Sequence, residues 1–243
     1  MTRFALAALL ATLAACAAPF AHAQPATAQS SLSFNLGAVN DYRYRGISQS
    51  RRRPAVQGGV DYSHASGLYI GTWASSIRWV EDAGGSASAE VDVYGGYKFA
   101  AGPLGLDVGA LRYLYPGSQL GVNPDTTELY AAAKWGPATL KYSHALTNLF
   151  GFANSQGSGY LELGATFDTG VWGLSLTPHV GHQRVRRNGD FSYTDVALTL
   201  GKDFGNGVSA SLALVGTDND NYRAPNGRNL GKAGAVLGLK VAF

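Results

Sequence analysis

From Ser31 to the end of the chain, apolar and polar residues alternate with a period of two. In "SLSFNLGAVNDYRYRG", Leu32, Phe34, Leu36 and Ala38 oppose Ser31, Ser33, Asn35 and Gly37, and Asp41, Arg43 and Arg45 continue the polar register. "SAEVDVYGGYKF" sets Val91, Val93, Tyr97 and Phe99 against Glu90, Asp92, Tyr94 and Lys98. The split recurs in "TTELYAAAKWG" (Leu129 and Trp135 against Glu128 and Lys134) and in "ATLKYS" (Leu140 and Tyr142 against Lys141). "GYLELGATFD" and "GLSLTPHVGHQ" set leucines, Phe167 and Val180 against Tyr160, Glu162, His179 and Gln183. "AGAVLGLKVAF" sets Leu237, Leu239, Val241 and Phe243 against Gly238 and Lys240. Successive side chains of a strand point to opposite faces, so these segments predict strands with charge confined to one face. Two segments fit less well. Arg112 falls in the apolar register of "LDVGALRYLYPG", which calls for a bulge or a rim position, and "LYIGTWASSIRWV" mixes both faces.

Short turn signals fall at "HASG" (64–67), "AAGP" (100–103), "WGPA" (135–138), "DTGVWG" (168–173) and "FGNG" (204–207). Longer polar loops are predicted near 45–54, 79–88, 115–126, 147–158, 184–191 and 216–229. The alternation of short and long connections predicts about twelve antiparallel strands with both termini at the short-turn end. A soluble sandwich would alternate too, but faces built on Ala and Gly would fill its core poorly. A transmembrane β-barrel inverts the arrangement, with apolar residues toward lipid and polar ones toward the lumen. A cation facing lipid at the bilayer midplane costs about 2–4 kcal/mol, against a net domain stability of about 5–15 kcal/mol. Lys141, together with Asp92, Glu128 and Glu162, should therefore face the lumen. The fold class predicted is all-β: a transmembrane barrel with short periplasmic turns and long extracellular loops.

The amino terminus sets the compartment. Arg3, the stretch "FALAALLATLAA" and Ala21-His22-Ala23 have the layout of a secretory signal peptide over 1–23, followed by a short segment 24–30 and the barrel over 31–243. A lipobox at Leu13 to Cys16 is the competing reading of the leader. Cys16 is the only cysteine, so no intrachain disulfide can form. Beyond the leader no apolar run reaches the roughly 20 residues of a membrane-spanning helix. Removing Arg3 leaves 18 of the 19 basic residues against 16 acidic ones, a balance that argues against nucleic acid as a partner. The chain has 32 glycines and 13 tyrosines, which suit turns and pleated strands. The expected location is the outer membrane of a Gram-negative bacterium. The terminal Phe243 resembles a recognition signal for the barrel-assembly machinery.

"VNDYRYRGISQSRRRP", Val39 to Pro54, carries five arginines and is placed at the top of the first strand and in the first long loop, with Tyr42 to Gly46 at the outer rim. Together with "PAVQGGVDYSHASGLYIGTWASSI" and "EVDVYGGYK", it resembles the TorF-type porins, most densely from Ala38 to Ser76. That resemblance implies an outer-membrane barrel without specifying a substrate; the three-arginine run departs from the family pattern and puts shared selectivity at this loop in question. The function expected is passive diffusion of small hydrophilic solutes, anionic ones among them, through a narrow lumen. Asp41, Arg43, Arg45, Asp61, Glu90, Asp92, Glu128, Lys141 and Glu162 are the candidate lining residues. Arg51, Arg52 and Arg53 are candidates for the mouth, with Arg184, Arg186 and Arg187 as a second basic cluster. Each has a plainer reading: lumenal charges pair across strands, and basic loops are solvated or contact lipid and lipopolysaccharide. Tyr42, Tyr44, Trp73, Trp79 and Tyr115 could stack on sugars or form an interfacial girdle. The alternative function is a closed structural or binding barrel. No cofactor or metal is implied, and no catalytic residue is assigned. In "YSH" at 62–64 and 142–144, adjacent Ser and His point to opposite faces of a strand, which disfavours an outer-membrane lipid hydrolase.

Overall fold

The computed structural model describes residues 29–243; the leader and Cys16 lie outside them. Each predicted turn and long loop falls at a junction between two strands of the wall, and the first long loop also contains a short strand of its own. In chain order the strands are β1 (Ser31–Val39), β2 (Arg43–Tyr44), β3 (Ile47–Ser48), β4 (Ala55–Ser63), β5 (Leu68–Ser76), β6 (Ala89–Ala101), β7 (Leu104–Leu114), β8 (Thr126–Trp135), β9 (Ala138–Ala145), β10 (Gly159–Ala165), β11 (Phe167–Asp168), β12 (Leu174–Arg184), β13 (Tyr193–Gly205), β14 (Val208–Thr217) and β15 (Gly234–Ala242). All but β2 and β3 belong to one antiparallel sheet, closed by β1 against β15 and by β10 against β12. β10 and β11 are two pieces of one wall strand, so the wall is a closed barrel of 12 strands. Closure leaves no exposed edge.

The outer face is apolar along its height. Leu32, Leu36, Ile70, Val108, Leu129, Leu161, Leu214 and Leu239 are all exposed large hydrophobics on it. Phe99, Trp135, Phe167, Trp172, Phe204 and Phe243 gather on the same face near the short turns, as an aromatic belt at a membrane interface would. Phe243 stacks on Phe34, with ring centroids 5.9 Å apart, at the seam where the last strand meets the first. Arg112 sits near the long-loop end of β7 in regular register with Val93, so there is no bulge. Its guanidinium donates to Thr127 Oγ1 at 2.8 Å and pairs with Asp125 at 3.5 Å, which settles its place as the rim.

The abundance of tyrosine and glycine has a shared cause on the inner face. Gly71 pairs with Tyr94 and Gly109 with Tyr130 across neighbouring strands. A Cβ on either glycine would lie 2.5 Å from the partner's ring or hydroxyl. The missing side chains let the tyrosines lie flat along the lumen wall, the arrangement by which aromatics protect strand glycines. The core therefore sits inside the barrel. It is concentrated in the long-loop half, where Val39, Tyr42, Leu111, Tyr113, Tyr115 and Val215 are buried in one cluster.

Candidate functional site: the lumen and its mouth

Residues 41–50 do not rise to the rim, which corrects the placement expected for Tyr42 to Gly46. They fold into the barrel, where Asp41, Tyr42, Arg43, Arg45 and Ile47 are buried. The local cause is a two-residue hairpin. β2 and β3 pair Arg43 with Ser48 and Tyr44 with Ile47, and Arg45 and Gly46 between them have φ of 44° and 81°. Two positive φ values in succession mark a turn of the type that matches strand twist. Gly46 is required twice over, because a Cβ there would lie 2.6 Å from Thr217 Cγ2 and 2.8 Å from the Asp195 Cβ. The tip thus abuts β13 and β14.

Side chains fix the hairpin to the wall on several sides. The Tyr42 hydroxyl donates to Glu90 Oε1 at 2.6 Å, and Tyr115 donates to the other oxygen at 2.7 Å. Arg45 forks onto Glu128, at 2.9 and 2.7 Å, and donates to Gln183 Oε1 at 2.8 Å. Its guanidinium also lies 4.2 Å from the Tyr160 ring. Arg43 pairs with Asp41 at 2.6 Å and donates to the carbonyls of Gly46, Leu230 and Lys232. Asp41 in turn accepts from the Ser48 hydroxyl. The "DYRYRG" stretch is therefore a set of contacts to strands around the barrel and to the loop at 218–233. Bidentate, desolvated pairs of this kind are the strong ones.

Tyr44 of the hairpin, with Trp79, Tyr113 and Tyr115, surrounds Phe150, with ring centroids 5.2 to 6.4 Å from it. Tyr42 meets Trp73 edge-on at 5.4 Å. The girdle expected from Tyr42, Tyr44, Trp73, Trp79 and Tyr115 is instead interior packing, because the loops that carry four of them turn inward and Trp73 lies in the lumenal register. Burial raises the pKa of Tyr115 well above its ordinary value, with the neighbouring Glu90 carboxylate adding to the effect.

The lumenal charges are layered along the axis. Glu90, Asp92, Glu128 and Asp195 stand at the long-loop end and are all but inaccessible. Neither oxygen of Asp92 has a hydrogen-bond partner. Asp195 accepts from Tyr160 at 2.8 Å and contacts His179 Nε2 at 3.0 Å, while Glu162 lies 3.8 Å from His179 Nδ1. Toward the short turns the wall carries Lys98, Lys141 and Lys240 with Asp61 and Asp107. There Tyr94 donates to Asp61 and Tyr69 to Asp107, and Lys98 and Lys141 lie over the rings of Tyr69 and Tyr130 at 4.5 and 4.6 Å. That half is partly open to solvent. Asp107 and Asp195, two lumenal carboxylates not singled out from sequence, lie in the alternating register and could have been found by parity.

The basic loop residues diverge. Arg51 pairs with Asp82 of the one-turn helix α1 (Trp79–Asp82), which joins the first two long loops. This neighbour raises the Arg51 pKa. Arg52 faces a cleft shared with the loop at 218–233, and Arg53 is exposed. Burial, then the positive charge of Arg43, lowers the Arg52 pKa, with Asp41 opposing and Arg228 adding to the shift. Arg184 shares the outward register of Val180, so it lies on the outer face at the rim and not in the lumen. Arg186 donates to the Gln156 carbonyl at 2.9 Å, and Arg187 is exposed in the loop. Among the described residues no serine, histidine and carboxylate come together: Ser66 contacts His64 at a short turn, and His179, which does meet carboxylates, has no serine beside it.

The fold is shared with solved porins at very low sequence identity. The KdgM porin is 8% identical with a TM-score of 0.54, covering 88% of this chain and 99% of its own. A KdgM porin in complex with disordered oligogalacturonate is 7% identical with a TM-score of 0.56 over the same shares. The NanC porin is 11% identical with a TM-score of 0.53, again over 88% and 99%. No curated protein matches the chain in sequence. A family described as bacterial proteins of unknown function, Gcw_chp, matches residues 23–243, and the chain belongs to that family.

Proposed function

We propose that the protein is a narrow outer-membrane porin for small hydrophilic solutes, of the TorF type that its "NDYRYRGISQS" stretch resembles, with the inward hairpin setting its bore. The observation that carries this reading is the inside-out barrel: an apolar exterior with an aromatic belt encloses a lumen lined by charges and tyrosines. The KdgM and NanC porins share this architecture, and one KdgM complex holds an oligogalacturonate, a polyanion. In this chain the charges suggest a two-stage filter. The long-loop half is acidic, with Arg43 on Asp41 and Arg45 on Glu128 offsetting part of its charge, whereas the lysines stand in the short-turn half.

A second reading is favoured by the hairpin itself. Side chains at its level are almost wholly inaccessible to water, Glu90 and Glu128 at 2% and Asp92 at 0%. A barrel held in that state would be closed, and its long loops would serve as a binding surface. Conductance separates the two. The mature chain, refolded and checked for the heat-shifted mobility of a barrel, is placed in a planar bilayer under a salt gradient. Stable current steps support the porin, and their reversal potential reports which charged layer dominates. A folded barrel that stays silent supports the closed form.

A further inference from the structure

At the long-loop end lies a cleft of about 560 Å³ lined by Arg52, Asp220, Arg223, Arg228, Asn229 and Lys232. Four cations converge there with one carboxylate, and Asp220 already accepts the Asn229 amide. Among the described residues none of the four cations makes an ion pair. Their guanidiniums lean on backbone carbonyls instead: Arg223 on Gly227 at 3.0 Å, Arg228 on Arg51 at 3.4 Å, and Arg52 on Lys232. Each contact occupies a single N–H of the fork and leaves the others available. The Arg52 Nε is buried with no partner at all.

The cations are held in place by the fold. Arg223 and Asn229 form an isolated bridge, the Ala224 N–H donates to the Arg228 carbonyl, and the Leu230 N–H donates to the Tyr222 carbonyl. Ala224 and Leu230 pack with Ile47 and Tyr193, Tyr222 lying against them, so the loop that presents Arg223 and Arg228 is anchored on the lumenal hairpin. Holding four cations together against a single carboxylate is unfavourable, and a bound anion would relieve it.

We propose that this cleft binds a saccharide bearing several oxyanions, either a free acidic oligosaccharide or the anionic sugar of a lipid headgroup. Its size lies within the roughly 300–1,000 Å³ of small-molecule sites, larger than one simple anion needs. The open, polar lining suits a sugar, and guanidinium forks suit carboxylate and phosphate oxygens. The site stands whether or not the barrel conducts.

The test is calorimetric titration of the full mature barrel, refolded in micelles, with trigalacturonate, with neutral maltotriose, and with bicelles carrying lipopolysaccharide. The variant is Arg223→Gln/Arg228→Gln, two exposed positions, with heat-shifted mobility verifying its fold. At low salt the wild type should bind an acidic probe and not maltotriose. Affinity should fall about tenfold or more in the variant, the scale of one lost charge-assisted contact. It should fall again as salt approaches roughly 1 M, where the Debye length is about 3 Å. Variant-sensitive binding of trigalacturonate alone assigns the site to free solutes, and of lipopolysaccharide alone to the lipid; either supports the proposal. Binding of neither acidic probe, or binding that the double substitution leaves unchanged, overturns it.

Discussion

Truncating Arg45 to alanine removes the centre of the hairpin's attachment. The guanidinium makes two hydrogen bonds to Glu128 and one to Gln183, and stacks on Tyr160. Once it is gone, Glu128 is left buried with a single contact, from the Tyr113 hydroxyl at 3.3 Å. Removing one partner of a buried ion pair costs about 3–5 kcal/mol, because the remaining charge is stranded. Water can enter the space an arginine vacates, which favours the lower figure. The barrel wall keeps its ladder bonds, so the penalty falls mainly on the docked hairpin. About 3 kcal/mol corresponds to a factor of roughly 10² in the ratio of docked to undocked states. Single-channel recording should then show a higher open fraction or larger steps than wild type. Glu128→Gln, which keeps an acceptor and loses the charge, should fall between. An Arg45→Ala barrel that folds and conducts as the wild type does would refute the idea that this pair holds the hairpin.

Four further outcomes follow from the same geometry. Gly46→Ala should loosen the hairpin as Arg45→Ala does, because φ is +81° and the new Cβ would meet Thr217 and Asp195; unchanged protease resistance of the 40–54 loop would contradict this. Val108→Arg, on the lipid face midway along β7, should lower barrel stability by about 2–4 kcal/mol in a urea titration in vesicles, and a null effect would argue against membrane insertion of this face. Asp92→Asn should stabilise the barrel by about 1–3 kcal/mol if its unpaired carboxylate is charged, whereas a loss of stability would show a partner for that charge. Deleting Phe243 should reduce assembly in cells far more than refolding into vesicles, since its ring lies on the lipid face against Phe34; equal losses in both would remove the recognition role.

The wall was legible in the sequence because lipid imposes a one-dimensional rule on it. Placing Glu128, Lys141 or Glu162 toward hydrocarbon is so costly that parity alone orients each strand, and Pro and Gly mark the short turns. Asp195 and Arg184 obey the same parity, inward and outward respectively, so parity separates Arg184 from the basic mouth that its neighbours Arg186 and Arg187 suggest. The hairpin was not legible, since a loop has no period and its direction depends on contacts with strands far along the chain. Its local signal was present in Arg45-Gly46, a pair suited to a tight hairpin turn, but nothing in the sequence says that the turn faces Glu128 and Gln183. Tyr42 and Tyr44 misled for the same reason: an aromatic beside a strand end suits a membrane interface and an interior equally.

The most direct measurement compares conductance of the wild-type barrel with one in which residues 41–50 are replaced by a short Gly-Ser linker, both refolded into the same planar bilayer. The account predicts stable steps that become larger when the hairpin is gone, with selectivity moving toward cations as Glu128 loses Arg45 and the Glu90 and Asp92 carboxylates become exposed to the lumen. Two folded barrels that both remain silent would contradict it.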